Sequence, residues 1–123
     1  MPLRNKILIA DDDAEMLETL SNMLEAAGYA VIRAENGLEA VELARKELPA
    51  LIMLDIHMPK MDGLKACKEI KTDQVSKTIP VVMLTVEGSI KEIEQAITYG
   101  AKTYITKPSS RNEILKVVKS ILS

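Results

Sequence analysis

The chain has 123 residues, of which 47% are hydrophobic and 28% charged, with a formal net charge of -2. That size and balance describe one folded domain with a single sizeable core, and they exclude a disordered tail or a strongly basic nucleic-acid binder. Cys67 is the only cysteine, so no internal disulfide can form, and no apolar run approaches the ~20 residues of a membrane span. A reducing compartment fits the cysteine usage. With no long apolar segment behind Arg4 and Lys6, no signal peptide is read and a cytoplasmic location is expected.

The elements alternate between short apolar runs and helical patterns. The first strand is expected over Lys6–Ala10 and stops at Asp11, Asp12 and Asp13. Asp13 can cap a helix with Leu17, Leu20, Leu24 and Ala27 on one stripe, and Gly28 suits its stop. A strand over Tyr29–Ala34 follows. Asn36 with Glu39 resembles a capping box ahead of Ala40, Val41, Ala44 and Leu48. The next strand, Ala50–Leu54, stops at Asp55, and Asp62 caps a helix bearing Leu64, Cys67 and Ile70. Pro80–Leu84 stops at Thr85. Ser89 with Glu92 opens a helix bearing Ile93, Ala96 and Ile97, which Gly100 ends. Thr103–Ile105 is the last strand and leads to Lys107-Pro108. Ser110 with Glu113 opens a helix bearing Ile114, Val117, Val118 and Ile121.

Five βα units with short connections predict a doubly wound, three-layer α/β sandwich. Such a sheet binds its ligand at the carboxyl ends of its strands, beside the topological switch point. Carboxylates, a hydroxyl and an ammonium all fall at those ends. Gathered carboxylates repel unless a cation sits among them, and hard oxygen ligands favour Mg²⁺. Asp13 alone reads as a helix cap. Asp11 and Asp12 read either as helix-start charge or as metal ligands, and Asp55 and Lys107 at matching strand ends favour the metal. A carboxylate at Asp55 can attack a phosphoryl group. Lys107 supplies a point charge for it, and Thr85 a hydroxyl donor. Cys67 is expected to be buried and inert, and His57, the sole histidine, to be polar surface.

These residues closely resemble the receiver domain of two-component response regulators, of the single-domain chemotaxis-regulator type. The resemblance rests on Ile7 to Asp13, on Leu54 to Gly63 with its Met58-Pro59-Lys60-Met61-Asp62-Gly63 turn, on Leu84-Thr85, on Gly100-Ala101, and on Tyr104 to Pro108. It covers nearly the whole chain and implies one receiver domain over residues 1–123. The implied fold is flavodoxin-like (βα)5 with parallel sheet order 2-1-3-4-5.

The resemblance further implies that Asp55 accepts a phosphoryl group from a histidine kinase or phosphotransfer protein. Mg²⁺ would be bound by Asp12, Asp55 and the His57 backbone carbonyl, with Asp11 assisting. Lys107 would hold the phosphate. Thr85 and Tyr104 would form the switch, and His57 and Glu87, at the mouth of the site, would tune dephosphorylation. A downstream protein would dock on the face of the fourth helix, fifth strand and fifth helix, through Lys91, Glu94, Gln95, Thr98, Tyr104 and Lys119. That face is expected to lack strongly apolar residues, giving a transient interface and at most a weak homodimer. No direct nucleic-acid contact or membrane insertion is expected, nor enzyme activity beyond self-catalysed phosphoryl transfer and autodephosphorylation. Two positions depart from the family pattern: Val86 stands where a small residue is usual, and Ser109 where an aromatic is usual.

Other readings compete. A Mg²⁺-dependent phosphohydrolase with an aspartate nucleophile would place its nucleophile after the first strand, with a nearby threonine that is missing here. A docking module without phosphorylation would not need Asp12, Asp55, Thr85 and Lys107 together. The chain is also readable as the receiver portion of a longer regulator or hybrid kinase.

Overall fold

The computed structural model describes residues 5–86, 89–107 and 109–122. Five strands and five helices alternate: β1 Lys6–Ala10, α1 Ala14–Ala26, β2 Ala30–Ala34, α2 Gly37–Glu47, β3 Leu51–Asp55, α3 Gly63–Thr72, β4 Val81–Val86, α4 Ile90–Thr98, β5 Thr103–Lys107 and α5 Arg111–Leu122. All strand pairings are parallel, in the order β2-β1-β3-β4-β5. This is the flavodoxin-like order that the resemblance implies. The chain turns back at β1, so its switch point lies between β1 and β3.

The unbroken apolar runs are explained by the two-residue pleat. Ile7 and Ile9 of β1, and Leu51 and Met53 of β3, join Leu17, Leu20 and Leu24 of α1 and Ile114 and Val118 of α5 in one core. Their alternates, Leu8, Ala10, Ile52 and Leu54, join Ala40 and Ala44 of α2, Cys67 and Ile70 of α3 and Ala96 of α4 in the other. A strand buried on both faces has no polar positions to alternate. The edge strands do: β2 carries exposed Arg33 and β5 exposed Tyr104 and Thr106.

Helix punctuation mostly follows the sequence reading. Asp13 accepts from the Glu15 and Met16 amides, Asn36 from Glu39, Asp62 from Lys65 and Ser110 from Glu113. Gly28 and Gly100 adopt φ of +101° and +112°, a conformation that other residues reach only at a steric cost. Four details differ. Ser89 makes no side-chain capping bond, and the Glu39 carboxylate accepts from the Glu35 amide rather than from Asn36. Ala27 and Leu48 lie past their helices as exposed C-caps, where the stripe has run out. Ile97 is exposed, because α4 presents only Ala96 as a fully buried residue.

Candidate functional site

Register brings the strand ends together. Ala10 pairs with Leu54, Asp55 with Leu84, Thr85 with Thr106 and Val86 with Lys107. The residues just past β1 and at the ends of β3, β4 and β5 therefore lie along one edge, beside the switch point. β3, β4 and β5 each run one or two residues beyond the predicted apolar stretches, because the ladder includes the functional residues themselves.

At that edge Asp11, Asp12 and Asp55 each offer a carboxylate oxygen, and these oxygens lie within 4.8 Å of one another. Asp11 is 1% exposed and Asp55 8%. Asp12 faces solvent. Lys107 Nζ lies 3.0 Å from Asp11 Oδ2 and 3.3 Å from Asp55 Oδ1. The other Asp11 oxygen accepts from the Asp13 amide at 3.0 Å, which ties the carboxylate to the start of α1. One ammonium among three carboxylates leaves a net negative pocket of hard oxygens, a donor set that fits Mg²⁺.

The titration of the site follows from this crowding. Burial pushes the Asp55 carboxyl above its ordinary value; Asp11 and, more weakly, Asp12 add to the rise, and Lys107 partly opposes it. For Lys107, burial alone would favour the neutral amine. Its hydrogen bond to Asp11 and the charges of Asp55 and Asp11 outweigh burial and hold the ammonium above its usual range.

The loop after Asp55 is fixed by backbone contact. A Cβ on Gly63 would sit 2.0 Å from the Asp55 carbonyl oxygen, and one on Gly37 would sit 2.1 Å from that of Met61. The Gly63 amide donates to the Ile56 carbonyl at 2.7 Å and the Gly37 amide to Met61 at 3.0 Å. The Met58–Gly63 turn is thus clamped between the starts of α2 and α3. Lys60 within it takes φ of +67°. The role of Gly37 escaped the sequence reading, since a glycine after an asparagine cap carries no sign of what approaches it.

Thr85 is 2% exposed, and its hydroxyl donates to the Val86 carbonyl at 3.2 Å. Tyr104 stands outward, 45% exposed. His57 is an exposed loop residue, but its Nε2 lies 3.3 Å from Glu92 Oε2 in the first turn of α4. That contact was not foreseen: the residues are 35 apart in sequence, and the motifs that contain them do not link one to the other. Glu87, the other expected tuning residue, lies outside the described residues. Lys91, Glu94, Gln95, Thr98 and Lys119 are exposed as expected. The expectation that this face lacks strongly apolar residues is overturned. Ile90 is 66% exposed, and Val86 and Ile97 are also open to solvent; α4 buries only Ala96 completely. Cys67 is buried, and burial raises its thiol to about 11, so it is unreactive.

The comparisons with known proteins agree with this geometry. The family model for the response regulator receiver domain matches residues 7–119. Protein PilH of Pseudomonas aeruginosa is 35% identical over 118 residues, covering 96% of this chain and 98% of that protein. The DNA-binding dual master transcriptional regulator RpaA of Synechocystis sp. is 41% identical over 117 residues, 95% of this chain but 48% of that protein. The chain thus spans about half the length of several transcriptional regulators that it matches. Among solved structures, a putative response regulator from Chloroflexus aurantiacus aligns with a TM-score of 0.92, 37% identity and 98% coverage of both chains. The chemotaxis response regulator CheY4 of Vibrio cholerae aligns with a TM-score of 0.90 and 30% identity, covering 97% of this chain and 99% of that one. No helix among the described residues is long and apolar enough to cross a membrane. With the acidic edge, the strand-end lysine and the clamped turn all falling inside the matched span, the chain belongs to the response regulator receiver domains, the signalling modules of two-component systems.

Proposed function

We propose that Asp55 is the phosphoacceptor of a phosphorylation-dependent switch, and that residues 1–123 act as one receiver domain in the cytoplasm. The observation that carries this reading is the buried Asp55 carboxylate, 3.3 Å from Lys107 and beside two further carboxylates at the switch point. Asp12, Asp55 and the His57 carbonyl would hold Mg²⁺, with Asp11 assisting while it anchors Lys107. The ion would neutralise charge that develops on the transferred phosphoryl oxygens. An Asp55 oxygen would form the new P–O bond as the P–N bond to the donor histidine breaks, and the departing imidazole nitrogen would take up a proton. Lys107 would then hold a phosphoryl oxygen.

Thr85 would swing from its Val86 carbonyl to the phosphoryl group, and Tyr104 would turn inward from its exposed position. This pairing biases a two-state element by a local change of charge. The output face would run from α4 across β5 to α5. The exposed isoleucines Ile90 and Ile97 give it an apolar centre, with Lys91, Glu94, Gln95, Thr98 and Lys119 as a polar rim. His57 and Glu87 would set the lifetime of the phosphoryl group. Such a domain is a signalling protein rather than a metabolic enzyme.

Acetyl phosphate with Mg²⁺ tests the acceptor. Intact-mass analysis should show one added phosphoryl group on the parent and none on Asp55→Asn. Equal labelling of Asp55→Asn would move the acceptor elsewhere.

A further inference from the structure

Behind Lys107, away from the carboxylates, a cavity of about 230 Å³ opens between α1, the ends of β4 and β5, and the start of α5. Leu20, Leu84, Ile105 and Ile114, all buried, form its walls, with Met16 and Met23 of α1 at its sides. An apolar cavity of about 150 Å³ stays dry and accepts benzene. The volume here suits a fused two-ring molecule. Two methionines in the wall let it adapt, since the unbranched thioether repacks at low cost.

Of the polar residues at its edge, Thr19 brings a neutral hydroxyl, and the other two are engaged. The Lys107 ammonium is committed to Asp11 and Asp55, and the Ser109 hydroxyl donates to the Thr106 carbonyl. No spare charge remains to hold an anion or a cation, so the occupant must be uncharged. Ser109 is also where this chain departs from the family's aromatic, and its small side chain leaves room at the wall that a ring would take.

We propose that this cavity is a binding site for small, uncharged, planar apolar molecules of about two fused rings. Because the Lys107 side chain lines the cavity while its ammonium holds Asp11 and Asp55, occupancy restrains the residue that orders the phosphoacceptor end. Filling the cavity therefore changes the rate of Asp55 phosphorylation. That second effect rests on the proposed function; binding itself does not.

Indole is the probe, added to the unphosphorylated full chain without Mg²⁺ and followed by methionine methyl NMR. Met16 and Met23 should shift saturably, while Met58 and Met83, on the other side of the sheet, stay in place. Ser109→Phe should weaken binding more than tenfold by filling the space. If that variant unfolds, Ser109→Leu tests the same point. No saturable shift of the parent below about 5 mM indole, a bound near 3 kcal/mol of affinity, overturns the site. Equal binding by a folded filling variant overturns it as well. At saturation the rate of labelling by acetyl phosphate should change at least twofold, and an unchanged rate overturns the coupling. Failure to label Asp55 under any condition would sink the phosphoacceptor reading, while the NMR titration would still decide the site.

Discussion

Replacing Asp55 by Asn should stabilise the metal-free protein, and the size of the gain follows from the pocket. Asp55 and Asp11 carboxylate oxygens lie within 4.8 Å, which at an effective dielectric near 20 costs about 3.5 kcal/mol of repulsion. Asp12 faces solvent, so its contribution is screened to about 1 kcal/mol. Lys107 at 3.3 Å returns about 5 kcal/mol of attraction. The charge terms nearly cancel, and burial of the carboxylate decides the sign, in keeping with its raised pKa. Asn keeps the shape and an acceptor without the charge, so we expect a gain of about 1–2 kcal/mol at pH 7. With roughly 2.1 cal/mol/K of unfolding entropy per residue over 123 residues, that is a rise of about 4–8 °C in Tm. The assay is thermal and urea unfolding of both proteins in EDTA. Between the ordinary value of 3.8 and its raised native value, Asp55 binds more protons folded than unfolded. The parent therefore loses stability relative to Asp55→Asn as pH rises through that window, and the two converge below it. Mg²⁺ should reverse the order by stabilising the parent, by about 2.7 kcal/mol at a hundredfold excess over Kd. Equal or lower stability of Asp55→Asn in EDTA at pH 7 would refute this account of the pocket.

Two further outcomes are expected. Gly63→Ala should cost at least about 2 kcal/mol in urea unfolding and slow labelling by acetyl phosphate, because the new methyl would meet the Asp55 carbonyl carbon and oxygen at 2.9 and 2.0 Å; a variant with parent stability would mean that the turn yields freely. Beryllofluoride with Mg²⁺ should shift backbone amides of residues 90–98 and 104 as well as those near Asp12 and Asp55, and shifts confined to the latter would remove the proposed output face.

Much of this was legible because strands and chemistry share the same residues. β1 and β3 read as continuous apolar runs, and their buried partners on both faces explain why. The strand-end residues Asp11, Asp55, Thr85 and Lys107 could be picked out because an apolar run that stops on a polar residue marks where a buried strand reaches solvent. What the sequence left hidden depends on distances between elements. Ala27, Leu48 and Ile97 continue an apolar helical pattern, yet burial requires neighbours on every side, and all three stay exposed. The His57–Glu92 contact joins a loop to a helix that no local pattern connects. The lack of room for a Cβ on Gly63 beside the Asp55 carbonyl is a fact of the folded turn.

The helix that carries two exposed isoleucines is also lightly anchored in the core. α4 buries only Ala96 completely, and its N-cap serine makes no side-chain bond. Ile90 and Ile97 therefore contribute little to its docking. Segments with few buried contacts open at low free energy. Its tie to the site loop is the His57–Glu92 contact, whose side chains are 68% and 34% exposed, and an exposed pair of this kind is worth at most about 1 kcal/mol. A helix poised this way needs only a small difference in free energy between two positions. About 1.4 kcal/mol already changes their ratio tenfold. Under the proposed function, a phosphoryl group arriving where Asp55 and Lys107 already face each other would give Thr85 a stronger acceptor than its own backbone. Thr85 and Val86 end β4, only a few residues before α4 begins, so a shift of Thr85 would act on the helix that follows it. On this reading, the same light packing that leaves isoleucines exposed for a partner would also let the strand-end chemistry move them.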